Sequence, residues 1–228
     1  MQRATKIFQL EERDADSPLI DAVWRTSSAP HQSFISIAAA HWQIVVWSQA
    51  GETHLTVRGP ETKATAVPIP ANAEFIGVRF RLGAFMPDLP VLSLVDRDLT
   101  FPRSVGNSFR FNGSTFECPT YDNIDAFVTK LAREGLLISD PVVSDVLRGR
   151  EPDLCRRSIE RRVRRATGLT LGAIRQIERA KKAAELLDRG ATILDVVMRA
   201  GYADQAHLTR SLKRFMGQTP AQIAKEAV

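Results

Sequence analysis

The chain has 228 residues, 44% apolar and 25% charged, a composition that packs a core and excludes wholesale disorder. No run of about 18 apolar residues occurs, which excludes a membrane-spanning helix, and the opening MQRATKIFQLEERDAD lacks the apolar stretch of a secretory signal. The net charge of +5 is unevenly spread. Residues 1–138 hold 13 Lys/Arg against 15 Asp/Glu, whereas residues 139–228 hold 18 against 11. A basic C-terminal part points to nucleic acid or an anionic membrane as its partner. The two cysteines, Cys118 and Cys155, form neither a disulfide framework nor a zinc pattern, and they fit a reducing cytosol.

In chain order, Ser17-Pro18 opens either a helix through Trp24 or, equally, a strand over Ala22–Thr26. Short β-branched or aromatic runs follow at Ser33–Ala38, Gln43–Ser48, His54–Arg58, Thr65–Ile69 and Glu74–Arg81. Turn residues separate them (Ala50-Gly51-Glu52, Gly59-Pro60 and Pro70-Ala71-Asn72), which predicts a sandwich or small barrel. After Pro119 the period changes. Ile124, Phe127, Leu131 and Leu136 follow helical spacing, predicting a helix over Asp122–Leu137 that connects two parts. Beyond it the pattern is helical to the end.

The C-terminal part contains an internal repeat. Ser158–Thr170 lies opposite His207–Thr219 at a constant offset of 49, and Asp145-Val146-Leu147 matches Asp195-Val196-Val197 at 50. Each copy reads as a short helix, a tight turn, a longer basic helix and a glycine stop, which is a helix-turn-helix. In the second copy Ile193, Val196 and Val197 form the first apolar stripe, Gly201-Tyr202 the turn, and Asp204 the N-cap of the next helix. There Leu208, Leu212 and Phe215 face inward; Gln205, Ala206, Thr209, Arg210 and Lys213 face outward. The first copy has the looser turn Arg150-Glu151-Pro152-Asp153. Its Ile159, Val163 and Ala166 point inward, and Arg156, Arg157, Glu160, Arg161, Arg164 and Arg165 crowd the other side. Between the copies Thr170 caps a helix to about Asp188. At about 18 residues it is roughly 27 Å long, enough to hold two reading helices about one DNA turn, roughly 34 Å, apart.

Residues 139–228 resemble the DNA-binding domain of the AraC/XylS family of bacterial transcription regulators. The resemblance is carried by Ile193–Val197, Ala200-Gly201-Tyr202-Ala203-Asp204, Leu208–Phe215 and Gly217-Gln218-Thr219-Pro220. It implies two helix-turn-helix units that each place a second helix in the major groove of double-stranded DNA. Arg157, Glu160 and Arg161 would then read bases in the first unit, and Gln205, Ala206, Thr209 and Arg210 in the second. Arg156, Arg164 and Lys213 complete the expected contact set. Arg pairs bidentately with guanine, and Glu160 accepts from cytosine or pairs with Arg164 four residues on. Arg58-Gly59-Pro60-Glu61-Thr62 and Gly77–Ala84 resemble the cupin-like N-terminal domain of some of these regulators, with Leu82 where proline usually stands.

The expected fold is therefore α+β and multidomain. Residues 1–118 form a β-rich, cupin-like effector or dimerisation domain, 119–138 a connecting helix, and 139–228 an all-α double helix-turn-helix. The resemblance implies a non-enzymatic regulator, an activator in the bacterial cytoplasm at the nucleoid. Its partners would be DNA, a small-molecule effector, RNA polymerase and a second copy in a homodimer, with no cofactor, metal or membrane. Two rivals remain. One is a cupin-like metal enzyme with a DNA-binding tail, for which His31, His41 and His54 are the candidate ligands, although they show no His-x-His and no acidic partner at fixed offset. The other is a regulator whose β domain only dimerises. Trp24, Trp42, Trp47, Phe75, Phe80 and Phe85 line either a ligand pocket or a plain core. His207 lies beside the reading face, within reach of phosphate. Cys118 and Cys155 have no catalytic partner.

Overall fold

The computed structural model describes residues 10–29, 33–102 and 107–226. Its N-terminal half is built on a six-stranded antiparallel sheet in the order β1-β2-β7-β4-β5-β9. The strands are β1 (Glu11–Arg13), β2 (Ile20–Ser27), β4 (Gln43–Gln49), β5 (Glu52–Arg58), β7 (Glu74–Phe80) and β9 (Asp98–Thr100). Three two-stranded pairs complete it: β3 (Ser33–Ser36) with β6 (Thr65–Pro68), β8 (Ala84–Phe85) with β12 (Ile138–Ser139), and β10 (Ser108–Phe111) with β11 (Ser114–Glu117). The strand reading of the segment after Ser17-Pro18 is the one realised. Val23 pairs with Val78, and Ile20, Ala22 and Val23 are buried. That register leaves no helical stripe for the segment to bury. The β4–β5 and β10–β11 hairpins turn on Ala50-Gly51 and Asn112-Gly113. All four of these residues have positive φ, as a turn matched to strand twist requires.

The interior of this half is filled by phenylalanines. Phe109 stacks on Phe116 at 5.6 Å, Phe101 meets Phe111 edge-on at 5.7 Å, and Phe127 meets both Phe109 and Phe116 edge-on. Phe127 belongs to α1 (Ile124–Arg133), whose Ile124, Val128 and Leu131 are also buried, so this helix closes the sheet's open face. The helix ends at Arg133, short of Leu137. Leu136 and Leu137 keep the apolar phase but lie in a turn, where both N–H groups return to the Leu131 carbonyl. Ile138 then pairs with Phe85, joining the chain back to the β half.

The C-terminal half consists of α2 (Pro141–Leu147), α3 (Arg156–Thr167), α4 (Leu171–Asp188), α5 (Ile193–Arg199), α6 (Gln205–Met216) and α7 (Pro220–Glu226). Their starts follow capping chemistry. Asp140, Thr170, Thr192 and Asp204 each accept a backbone N–H of the first turn through the side chain. The α3 helix lacks such a cap, because Cys155 stands at that position. Val163, Ile174, Ile177, Leu187, Leu208 and Leu212 are fully enclosed between the helices. Each leucine or isoleucine buried in this way contributes about 1.5–3 kcal/mol.

A single apolar core runs from Ile20 to Ile223 across both halves. A 3-10 turn, Val91–Leu94, packs against α3, and residues 35–38 and 64 meet the end of α6.

Candidate nucleic-acid interface

The α3 helix starts at Arg156, which places its first two turns after the Pro152-Asp153 turn. Arg156, Arg157, Glu160, Arg161 and Arg164 are all exposed. Arg156 pairs with Glu160 at 2.9 Å, on a side chain that is 92% exposed. Glu160 therefore partners the arginine four residues before it and not Arg164 four residues after. Such a pair is worth only a few tenths of a kcal/mol in water, so it opens at little cost. Among the described residues, Arg157, Arg161 and Arg164 make no ion pair and present free guanidinium groups. Arg162 and Arg165 point elsewhere. Arg162 bonds Asp140 at 2.9 Å, and Arg165 lies over the Phe85 ring at 5.3 Å. Two of the six arginines of α3 thus anchor the helix to the rest of the protein.

The α6 helix carries the second candidate face. Gln205, Ala206, Arg210 and Lys213 are exposed, and Thr209 is half-buried. The Thr209 hydroxyl donates to the Gln205 carbonyl at 2.8 Å, leaving its methyl group to the outside. That methyl suits contact with a thymine methyl. Arg210 and Lys213 have no acidic partner among the described residues. His207 is engaged within the unit. Its backbone N–H donates to Asp204, its ring Nδ1 accepts from the Ala203 N–H at 3.5 Å, and the ring meets Tyr202 edge-on at 5.1 Å.

One residue at the site carries no local sequence signal. Arg179 of α4 lies over the Tyr202 ring at 4.7 Å and donates to the Gly201 carbonyl at 3.4 Å. It supports the turn between α5 and α6 from a position 22 residues upstream.

His54 stacks on Trp47 at 4.1 Å in the β4–β5 hairpin, His41 precedes β4, and His31 lies outside the described residues. Loss of hydration, reinforced by Lys181 and Arg79 nearby, holds the His41 imidazole well below its ordinary value. Among the described residues, no three His, Cys, Asp or Glu side chains are grouped to hold a metal ion. The aromatic candidates for a pocket are structural. Trp42 stacks on Phe80 at 4.1 Å and donates to the Ala84 carbonyl, while Trp24 donates to Gln43. The space left between Ile44, Met86, Phe101, Phe109 and Leu131 is about 10 Å³, roughly one water. Cys118 is buried. Cys155 is exposed, and its hydrogen bond to Ser158 lowers the thiol's pKa.

Residues 152–226 match the family described as a helix-turn-helix domain. No curated protein matches the chain. Among solved structures, ToxT from Vibrio cholerae O395 is similar at 9% identity and a TM-score of 0.40, with 98% of this chain and 99% of that chain covered. ToxT from Vibrio cholerae O395 bound to (E)-4-(8-methylnaphthalen-1-yl)but-3-enoic acid is similar at 10% identity and a TM-score of 0.43, with 96% and 99% covered.

Proposed function

We propose that the chain is a DNA-binding transcription regulator with a helix-turn-helix domain of the AraC/XylS type, and that it reads two half-sites through α3 and α6. In the first, Arg156, Arg157, Glu160, Arg161 and Arg164 make the contacts. In the second, Gln205, Ala206, Thr209, Arg210 and Lys213 do so. The observation that carries this reading is the repeat itself. Two 12-residue helices, 49 residues apart in sequence, end on glycines with the same φ of 73° and expose free basic groups at matching places. Phosphate contacts set affinity and register, and contacts to base edges set sequence. Arg161 and Arg210 occupy the same place in the two copies and are the candidates for bidentate guanine reading. The action is binding, with no chemical step.

Residues 139–228 are the proposed DNA-binding domain and residues 1–118 the regulatory one, joined by 119–138. The phenylalanine interior of the β half favours a second reading for that half, in which it positions or dimerises without holding a small effector. An effector seated in that interior would have to open it, and an effector at any site would regulate only by binding two arrangements of the chain unequally. RNA polymerase is the further partner expected of an activator, and the nucleoid its place of work.

Selection of bound sites from random duplex DNA by the full chain tests the reading. Two enriched half-sites about one helical turn apart are expected. Failure to enrich any site at low salt overturns it.

A further inference from the structure

The two recognition helices are held at the same point by the β half. Gly168 and Gly217 end α3 and α6 in the left-handed region, where glycine alone is unstrained. Both also lie against the other half of the chain. A Cβ on Gly168 would stand 2.8 Å from Val95 Cγ2 and 3.1 Å from the Val91 carbonyl oxygen. A Cβ on Gly217 would stand 2.7 Å from Ile35 Cγ2 and 3.2 Å from Ala64 Cβ. At α6 the contact is also a cap. The Phe215 and Arg214 carbonyls accept from the Ala38 and Ala64 N–H groups, both at 2.8 Å. A helix cannot satisfy its last carbonyls internally, so the β half supplies those donors.

One short segment lies between the two docking points. On one side, Arg58–Ala64 is bound to the end of the 3-10 turn. Gly59 N–H donates to Arg97, Asp96 N–H donates to Pro60, and the Asp96 carboxylate accepts from the Thr62 N–H and hydroxyl at 2.7 and 2.6 Å. Gly59 approaches so closely that a Cβ there would overlap the Leu94 carbonyl oxygen. On the other side, Glu61 and Ala39 exchange backbone hydrogen bonds of 2.8 and 3.0 Å, and the Glu61 carboxylate accepts from Ser36 and Arg58. The segment therefore touches the receptor of the first helix end with one edge and the receptor of the second with the other.

We infer that Arg58–Ala64 ties the two docking points into one body, and that through it the β half sets where α3 stands relative to α6. Its residues are positioning residues, not members of the proposed DNA-contact set. The α4 helix alone links the two units in sequence, and both its ends are turns. A second link through the β half closes that chain into a ring of contacts and removes the hinge. The consequence for half-site spacing rests on the DNA reading above, but the tie itself does not.

Asp96→Gly in the full chain tests the tie. Asp96 has a φ of 56°, which glycine adopts freely, so the variant keeps the backbone and removes both Thr62 bonds. Thr62→Val is the second variant and removes only the hydroxyl bond. Hydrogen exchange of the Ala64 and Ala38 amides, which donate to α6, should speed up about tenfold in Asp96→Gly and less in Thr62→Val, while amides within α4 keep their rates. Site selection with spacers of varied length should show one preferred spacing for the wild type and several for Asp96→Gly. Unchanged exchange at Ala38 and Ala64 overturns the tie. Faster exchange with an unchanged spacing preference overturns the positioning role. A wild-type chain that enriches no DNA overturns the DNA reading, and the exchange result still decides on the tie.

Discussion

The guanidinium of Arg179 lies 4.7 Å from the centroid of the Tyr202 ring, and the Tyr202 hydroxyl meets Ser211 Oγ at 3.0 Å. These contacts join α4, the turn after α5 and α6. Tyr202 is buried, so its hydroxyl needs that partner. Tyr202→Phe should lower stability by about 1 kcal/mol. Arg179→Ala should do more, because the stack and the bond to Gly201 are lost together. Urea unfolding of the two variants checks the order.

Arg161→Ala and Arg210→Ala should each relax base choice in a different half-site, by about 1–3 kcal/mol of discrimination per lost bidentate pair. Lys213→Ala should weaken binding to all sequences alike and reduce the salt slope by about one. Site selection with each variant separates the outcomes. Unchanged base preference in both arginine variants would make these residues clamps on the backbone.

The salt dependence of the full chain should be steep. If Arg156, Arg157, Arg164 and Lys213 neutralise about four phosphates, with Arg161 and Arg210 on base edges, the slope of log K against log salt is about −3.6. Titrations at several salt concentrations measure it. A slope near −1 would place most of these cations away from phosphate.

Leu131 and Phe127 face the phenylalanine interior, not a neighbouring subunit. Leu131→Ala should cost about 2–5 kcal/mol of stability and leave the mass in solution unchanged. Thermal unfolding and light scattering together decide this. A changed mass with unchanged stability would assign the helix to a subunit contact.

Stability should fall on the acid side through His41. Its pKa in the folded chain is lowered, so the unfolded chain binds the extra proton first as pH drops below about 6.5. Between there and the folded value, the loss runs up to about 1.4 kcal/mol per pH unit. Lys181 and Arg79, the cations near it, are paired with Glu178 and with Glu12 and Asp21. His41→Gln should remove this slope below about pH 6.5. Urea midpoints for both proteins at pH 5.5 and 7.5 measure the difference.

The double helix-turn-helix is legible because its signals are local. The Asp204 and Thr170 caps and the glycine stops each lie within one turn of the element they mark, and the repeat shows the same local pattern twice. The long strands are legible for the same reason, since Gln43–Gln49 and Glu74–Phe80 have room for an apolar pattern. Ala84–Phe85 and Ile138–Ser139 have two residues each, and their pairing is made by the tertiary fold. Ser108–Phe111 and Ser114–Glu117 flank Asn112-Gly113, a hairpin signal, on strands too short for alternation to stand out. At the site, repeat and charge locate α3 and α6 but do not divide the arginines. Arg162 and Arg165 are exposed but engaged by Asp140 and Phe85, and no period along α3 reports that. The role of Glu160 also depends on which turn its partner occupies.

The bond from Ala38 to Phe215 joins residues far apart in the chain and closes a loop of more than three quarters of its length. Contacts between residues so distant in sequence form late, because the closure entropy must be met before they stabilise anything. Synthesis runs from the N-terminus, so the receptor at Ile35, Ala38 and Ala64 is complete long before its plug emerges. During that interval the nascent protein displays an apolar socket with two unsatisfied amide donors. The end of α6 is what fills it, and a message truncated before residue 215 would yield a protein with that socket permanently open.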